Sequence, residues 1–399
     1  MSKLYTFLYN TRFARNSLNR WDLIAFLLVL GILAAFVWGA KQMASPYELG
    51  QSLPISLDPM QLPKYALFTV LRLVTAMVFS LLFTFTVGTL AAKNKRAASF
   101  ILPCIDVLQS VPVIGFLSIT VIGFIVLFHG SRLGPEAAAI FAIFTAQVWN
   151  ITLSFYQSLR SVPLELKEAA DMFHLSAWQR FWRVEVPFSI PGLLWNMMLS
   201  MSGSWIFLIA SESISVNQQT IMLPGIGSYL GLAISQSSVS AVLYTILTML
   251  IVILIYDQLF FRPLLHWSKK FTFETVSQIQ QTPSWLTLLL QRSQLAKYCG
   301  HGFAQFSEYF VNLPFFTRSS TRSEGKNPYW NLLMNLLGYG LLTACLVGSF
   351  YLLLEFIIQH IAVSEIIHVF GFGLVTMLRV LVVTLLCSVI WIPLGYGLV

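Results

Sequence analysis

The chain has 399 residues, 57% of them apolar and only 10% Asp, Glu, Lys or Arg. Soluble domains carry about 25% charged residues, so too little charge is present to cover a soluble surface, and several apolar runs reach spanning length. The formal net charge of +8 does not point to nucleic acid, because in a membrane chain the placement of Lys and Arg matters more than their sum. The expected fold class is an all-α polytopic membrane protein.

The first apolar run, Leu23 to Ala40, follows Lys3, Arg12, Arg15 and Arg20. It is long and no cleavage site follows, so it is read as a retained anchor. Further spans are predicted at Ala66–Ala92, Phe100–Phe128, Ala137–Tyr156, Gly192–Ala210, Val239–Phe261, Leu332–Glu355 and Gly371–Val399, eight with the first run, the last read as incomplete. With the N-terminus in the cytoplasm, 19 of 24 basic residues fall on that side. External loops keep only Lys41, Lys64 and Arg132, which satisfies the positive-inside rule. The four cysteines are scattered and form no disulfide framework. Cys299-Gly300-His301 supplies too few ligands for structural zinc, so no metal is expected.

The chain repeats itself. Trp21, Gly31 and Gly39 match Trp330, Gly340 and Gly348 at an offset of 309. Thr69, Leu71, Arg72 and Gly88 match Thr376, Leu378, Arg379 and Gly395 at an offset of 307. Such matches predict a duplication in parallel orientation. The expected organisation is residues 1–62 as N-terminus, first helix and external loop; 63–262 as a core; 263–328 as a polar, basic linker; and 329–399 as an incomplete second copy. The Trp285–Leu290 run in the linker is too short to span and suits an interface.

Ionisable groups inside membranes are costly and so mark candidate sites. Arg72 and its repeat partner Arg379 lie within spans, where they could attract an anion; snorkelling, or an ion pair between Arg72 and Glu212, is the blander alternative. Glu212 ends the fifth span and is a pairing, gating or solvent-facing residue. Asp106 is expected to cap or stabilise the start of a helix. Gln109, Gln147 and Asn150 suit a pathway lining or interhelical hydrogen bonds.

The loop before the fifth span reads Glu165-Leu-Lys-Glu168-Ala169-Ala170-Asp171-Met-Phe-His174 and continues through Trp178, Phe181 and Trp182 to Val184-Glu185-Val186-Pro187. Large apolar groups among charges suit a docking surface or an interfacial helix pair. The spacing resembles the signature loop of permease subunits in bacterial ATP-binding-cassette importers. That pattern is Glu-Ala-Ala, three residues, Gly, nine residues, Ile, one residue, Leu-Pro. Glu168, Ala169, Ala170, Val184, Val186 and Pro187 fill it, and His174 stands where Gly is expected. Gly there would permit positive φ, which His adopts less readily. Asp106–Phe116, Ser204–Glu212 and Leu223–Leu230 are similar to the nitrate, taurine and alkanesulfonate branch of that family.

The resemblance implies a type I importer fold in the bacterial inner membrane. It implies a coupling loop at residues 158–190 seated on a cytoplasmic ATPase dimer, an external solute-binding protein, and a pathway shared with a second permease copy. The binding protein would meet the Ser45–Pro63 loop and the segment after Glu212. The chain itself shows no G-x-x-x-x-G-K-[ST] phosphate loop, so it is expected to be no enzyme and to bind no cofactor, ATP-Mg belonging to the partner. A small anionic solute is expected. A secondary transporter with parallel repeats and a non-transporting scaffold are the rivals.

Overall fold

A computed structural model of the chain describes residues 20–46, 55–216, 219–271, 292–313 and 363–396, with single positions between them. It divides into two units, Met1–Ser319 and Ser320–Val399. Most of residues 329–362, the segment around Trp285–Leu290 and the centre of the Ser45–Pro63 loop lie outside the described residues.

The first unit opens with α1 (Arg20–Met43), whose apolar surface has little inside the protein to cover it. It packs on the next helix where Trp38 stacks on Phe68 at 5.9 Å and Met43 joins Phe68 and Leu71. Helix α2 (Leu62–Phe83) begins after a tight turn in which Asp58 caps the Met60 N–H. It winds through a wider π turn at Thr84–Gly88 into α3 (Thr89–Lys93), so that Pro59–Lys93 is one 35-residue span. Asn94 then turns extended and its side chain caps α4 (Lys95–Ser110) by accepting from the Arg96 and Ala97 N–H groups.

Helix α5 (Val113–Leu127) and the 28-residue α6 (Leu133–Arg160) follow. At 1.5 Å per residue α6 is about 42 Å long and forms the central post. Its Ala138, Ala139 and Ala142 are fully buried; between helices in lipid, small residues permit the close backbone approach that association depends on. Leu73, Ala76 and Met77 of α2 meet Ile143, Ile151 and Phe155 of α6 in one cluster. Leu193, Leu194 and Met197 join them from α9 (Val186–Gly203).

Between α6 and α9 lie α7 (Leu164–Met172), α8 (Ala177–Arg180) and a π turn at Phe181–Glu185. After α9 the chain bends by 43° at Ser204 into α10 (Trp205–Glu212), as Gly/Ser pairs allow. A hairpin of β1 (Ser213–Val216) and β2 (Gln219–Met222) is antiparallel, with Ser213 opposite Met222. Helix α11 (Ile226–Ser235) is about 15 Å long, too short to cross a membrane. Helix α12 (Val239–Tyr256) spans, exposing Leu243, Leu247, Leu250 and Leu254, and runs on into α13 (Arg262–Ser268). Helix α14 (Gln294–Val311) closes the unit. In the second unit α15 (Val363–Tyr396) is a single 34-residue helix.

Five described helices are long and apolar enough to span, and the bent pair α9–α10 makes a sixth. Three expectations change. The run Phe100–Phe128 is two helices, because Pro112 forces Val111 into extended backbone at ψ 122°. Asp106 sits in the later half of α4 and caps nothing at its start; it accepts instead from Gln109 of the same helix at 3.2 Å. The hairpin after Glu212 has no counterpart in the helical reading. The Leu332–Glu355 span lies almost wholly outside the described residues.

Candidate functional site

Three elements bring charge together inside the first unit. Arg72 is on α2, Glu136 opens α6, and Glu212 ends α10; each is essentially unexposed. The Arg72 guanidinium donates from Nε to Glu136 Oε2 at 2.6 Å, from Nη2 to Glu136 Oε1 at 2.8 Å and the Pro224 carbonyl at 3.0 Å, and from Nη1 to Glu212 Oε1 at 2.7 Å. Four of its five N–H groups are therefore committed within the protein.

Glu212 is held from more sides. Its Oε1 also accepts the Thr69 hydroxyl at 2.7 Å, and its Oε2 accepts the Gly227 N–H at 2.6 Å. The Thr69 oxygen in turn accepts the Ile226 N–H at 3.0 Å. Two carboxylates face one guanidinium, and the positive N-terminal end of α11 supplies further compensation. Leu223-Pro-Gly225-Ile-Gly227 wraps this carboxylate closely. A Cβ at Gly225 would strike the Glu212 carboxylate, and one at Gly227 would come within 2.6 Å of the Ile209 carbonyl oxygen.

The other sequence candidates scatter. Asn150 of α6 donates to Ser200 of α9 at 2.9 Å, an interhelical bond. Gln109 is exposed and, among the described residues, its side chain bonds Asp106 within α4. Gln147 is fully buried, and among the described residues its amide finds no hydrogen-bond partner. Arg379 is exposed on α15. Glu136 was missed by sequence reasoning; the available signal was an acid in a helix's first turn, directly after Gly134-Pro135.

The loop between α6 and α9 is the second site. Helix α7 ends in a Schellman motif: Leu175 N–H bonds the Ala170 carbonyl at 3.1 Å and His174 N–H the Asp171 carbonyl at 3.0 Å. His174 adopts φ 51° there. Ser176 and Gln179 form a capping box at the start of α8. Ala170, Phe181 and Glu185 face inward, and Lys93 of α3 pairs with Glu185 at 2.8 Å while lying over the Phe181 ring at 5.1 Å. Outward face Glu168, Leu164, Met172 and Phe173, the last two 81% and 67% exposed. Ala169 and Val184 are half-buried and Pro187 lies in the first turn of α9.

Residues 84–262, which contain this entire loop, match the family described as binding-protein-dependent transport system inner membrane component. Residues 84–262 carry a permease domain of the ATP-binding-cassette importers. Its fold is the type I permease fold.

The chain is 22% identical over 162 residues to a bicarbonate transport system permease of Synechococcus elongatus, covering 41% of this chain and 54% of that protein. It thus spans about half the length of the first curated relatives it matches. It is 23% identical over 233 residues to a nitrate import permease of Leptolyngbya laminosa, with 56% and 78% covered. A trimethylamine N-oxide transport permease of Pelagibacter ubique is 29% identical over 182 residues, 46% of this chain and 23% of that protein.

In this chain His174 keeps the left-handed turn that Gly would favour. The backbone bonds of the Schellman motif and the inward Ala170 impose it, at the cost of Cβ crowding. His174→Gly is therefore expected to raise stability by about 1 kcal/mol, the left-handed penalty partly offset by a freer unfolded chain. A thermal melt of the purified protein checks this; an unchanged or lower midpoint would show the turn to be unstrained.

A second partner of the loop comes from outside the core. The Trp178 indole N–H donates to the Phe310 carbonyl at 3.3 Å, and Gln179 and Arg183 both donate to Asn312 Oδ1 at 3.2 and 3.0 Å. The segment preceding α14 reaches α1, where Ser293 donates to Asp22 at 2.8 Å. Residues 292–312 therefore tie the start of the first span to the α8 side of the loop and leave the α7 side open.

Proposed function

We propose that this chain is the membrane-spanning, non-hydrolytic subunit of an ATP-driven importer for a small anion. The observation that carries this is the loop at residues 164–187: a capped, rigid helix pair that buries Phe181 and Glu185 in the core while presenting Leu164, Glu168, Met172 and Phe173 outward. A partner ATPase seated on that outward face would supply hydrolysis, with ATP-Mg bound by the partner. The positive-inside distribution supports placing the loop and the N-terminus in the cytoplasm of a bacterial inner membrane. An external binding protein would deliver solute, and relatives named for nitrate and bicarbonate support an anion of that size.

The mechanism follows from two anchor points on one span. Lys93, at one end of Pro59–Lys93, is tied to the loop through Glu185. Arg72, 21 residues away and about 31 Å along a helix, is tied to Glu136 and Glu212. Movement of the loop is thereby carried by a stiff rod to the junction of α2, α6, α10 and α11. In this reading Arg72 and Glu212 are a strut that holds the junction and are not the groups that touch solute, since their polar atoms are spent on each other and on Glu136, Thr69, Pro224 and Gly227. Asn150 and Gln109 remain candidates for the pathway, and the 63–262 core is the translocating unit.

Co-expression with the cognate ATPase provides the test. Glu168→Arg and Phe173→Asp are each expected to lower ATPase recovery with the permease at least tenfold, a loss of about 1.4 kcal/mol or more in association, leaving the permease's own yield unchanged. Undiminished recovery with both variants would sink the assignment. Uptake of labelled nitrate or bicarbonate should require ATP; uptake driven by a proton or sodium gradient would instead favour a secondary transporter, and uptake of trimethylamine N-oxide alone would replace the anion with a neutral dipolar solute.

A further inference from the structure

Helix α15 carries a polar pair that the first unit shows how to satisfy. On α2, Tyr65, Phe68, Thr69, Arg72 and Ala76 form one buried face. From it the Thr69 hydroxyl and the Arg72 guanidinium both donate to Glu212, and Arg72 also to Glu136. The repeat offset places Phe372, Val375, Thr376, Arg379 and Val383 at the same positions of α15. Every one of them is exposed, and none of the apolar span Ile367–Gly395 is buried. Arg379 lies 12 residues, about 18 Å, inside that span, a depth at which an unpartnered cation is disfavoured. Among the described residues no carboxylate pairs with it.

We propose that this face of α15 docks on membrane helices of a second permease unit that has no arginine of its own at this position and presents two buried glutamates to Thr376 and Arg379, as Glu136 and Glu212 are presented to Thr69 and Arg72. Charge complementarity defines the occupant: one acid in the first turn of a membrane helix, and another at a helix end followed by a close glycine-containing turn. A second copy of this chain does not fit, because its Glu136 and Glu212 are already engaged by its own Arg72. The inference rests on the permease fold and the internal repeat and is independent of the transported solute.

The experiment places the photo-crosslinking residue benzoylphenylalanine in the full chain, expressed with its native neighbours. Positions 375 and 383 are on the docking face, and 374 and 381 are on the opposite face by helical periodicity. The expected result is at least tenfold more protein adduct from 375 and 383, mapping to a membrane helix with a glutamate within one turn of the attachment point. That adduct should persist with Arg379→Lys and disappear with Arg379→Glu. Equal lipid adducts from all four positions, or adducts mapping to a second copy of this chain, would overturn the proposal. ATPase recovery measured on the same samples separates the two readings: its loss with the adduct intact counts against the importer assignment alone.

Discussion

Arg72→Met is expected to destabilise the purified protein by about 3–5 kcal/mol, the usual consequence of removing one partner from a buried ion network. The substitution leaves Glu136 and Glu212, both essentially unexposed, facing each other without their shared cation. Burial also removes the screening that would soften the loss in salt, so the effect should persist at high ionic strength. Arg72→Lys should recover little, because one ammonium cannot reproduce the fork that reaches both carboxylates and the Pro224 carbonyl. The triple variant Arg72→Met, Glu136→Gln, Glu212→Gln should recover much of the lost stability by removing the uncompensated charge. Thermal denaturation in detergent reads all three. A midpoint for Arg72→Met equal to that of the parent would show that the network does not hold α2, α6 and α10 together.

Gly227→Ala should be nearly as damaging, at about 3 kcal/mol from combined overpacking and hydrogen-bond loss. The added Cβ would lie 2.6 Å from the Ile209 carbonyl oxygen, 2.7 Å from Ile209 Cα and 2.9 Å from Glu212 Oε2. Backbone atoms of α10 cannot swing aside as a side-chain end can, so α11 must retreat, and the Gly227 N–H bond to Glu212 lengthens with it. Gly231→Ala on the same helix is the control, since its Cβ would meet side-chain atoms alone, the Ser213 hydroxyl at 3.2 Å and Met222 Cε at 3.8 Å. Similar midpoints for the two variants would refute the packing argument.

Much of this architecture was legible in the residues. Hydropathy located the spans that hold single helices, because twenty apolar residues in a row have few other places to go. The third was misread since its apolar content outweighed Pro112, whose ring decides the backbone of Val111 whatever the hydropathy. The loop at Glu168–Pro187 was readable because its spacing is local: cap, turn and inward-facing residues lie within 20 positions. The motif around Gly225 and Gly227 was visible as a pattern but without a cause, since its cause is Glu212.

The sequence by itself determined that this is a helical membrane protein, and it showed matched residues at fixed offsets and the spacing of the Glu168–Pro187 loop, since composition, period and short-range spacing are properties of the chain alone. Only the tertiary structure decided what its charged residues do. Arg72 meets Glu136 across 64 positions and Glu212 across 140, and which acid a buried cation finds depends on how helices pack, not on where each stands along the chain. The same packing left His174 in a left-handed turn and committed Arg72 inward. In the first unit α2, α6 and α10 surround that arginine; Arg379, in a similar local sequence, is exposed among the described residues.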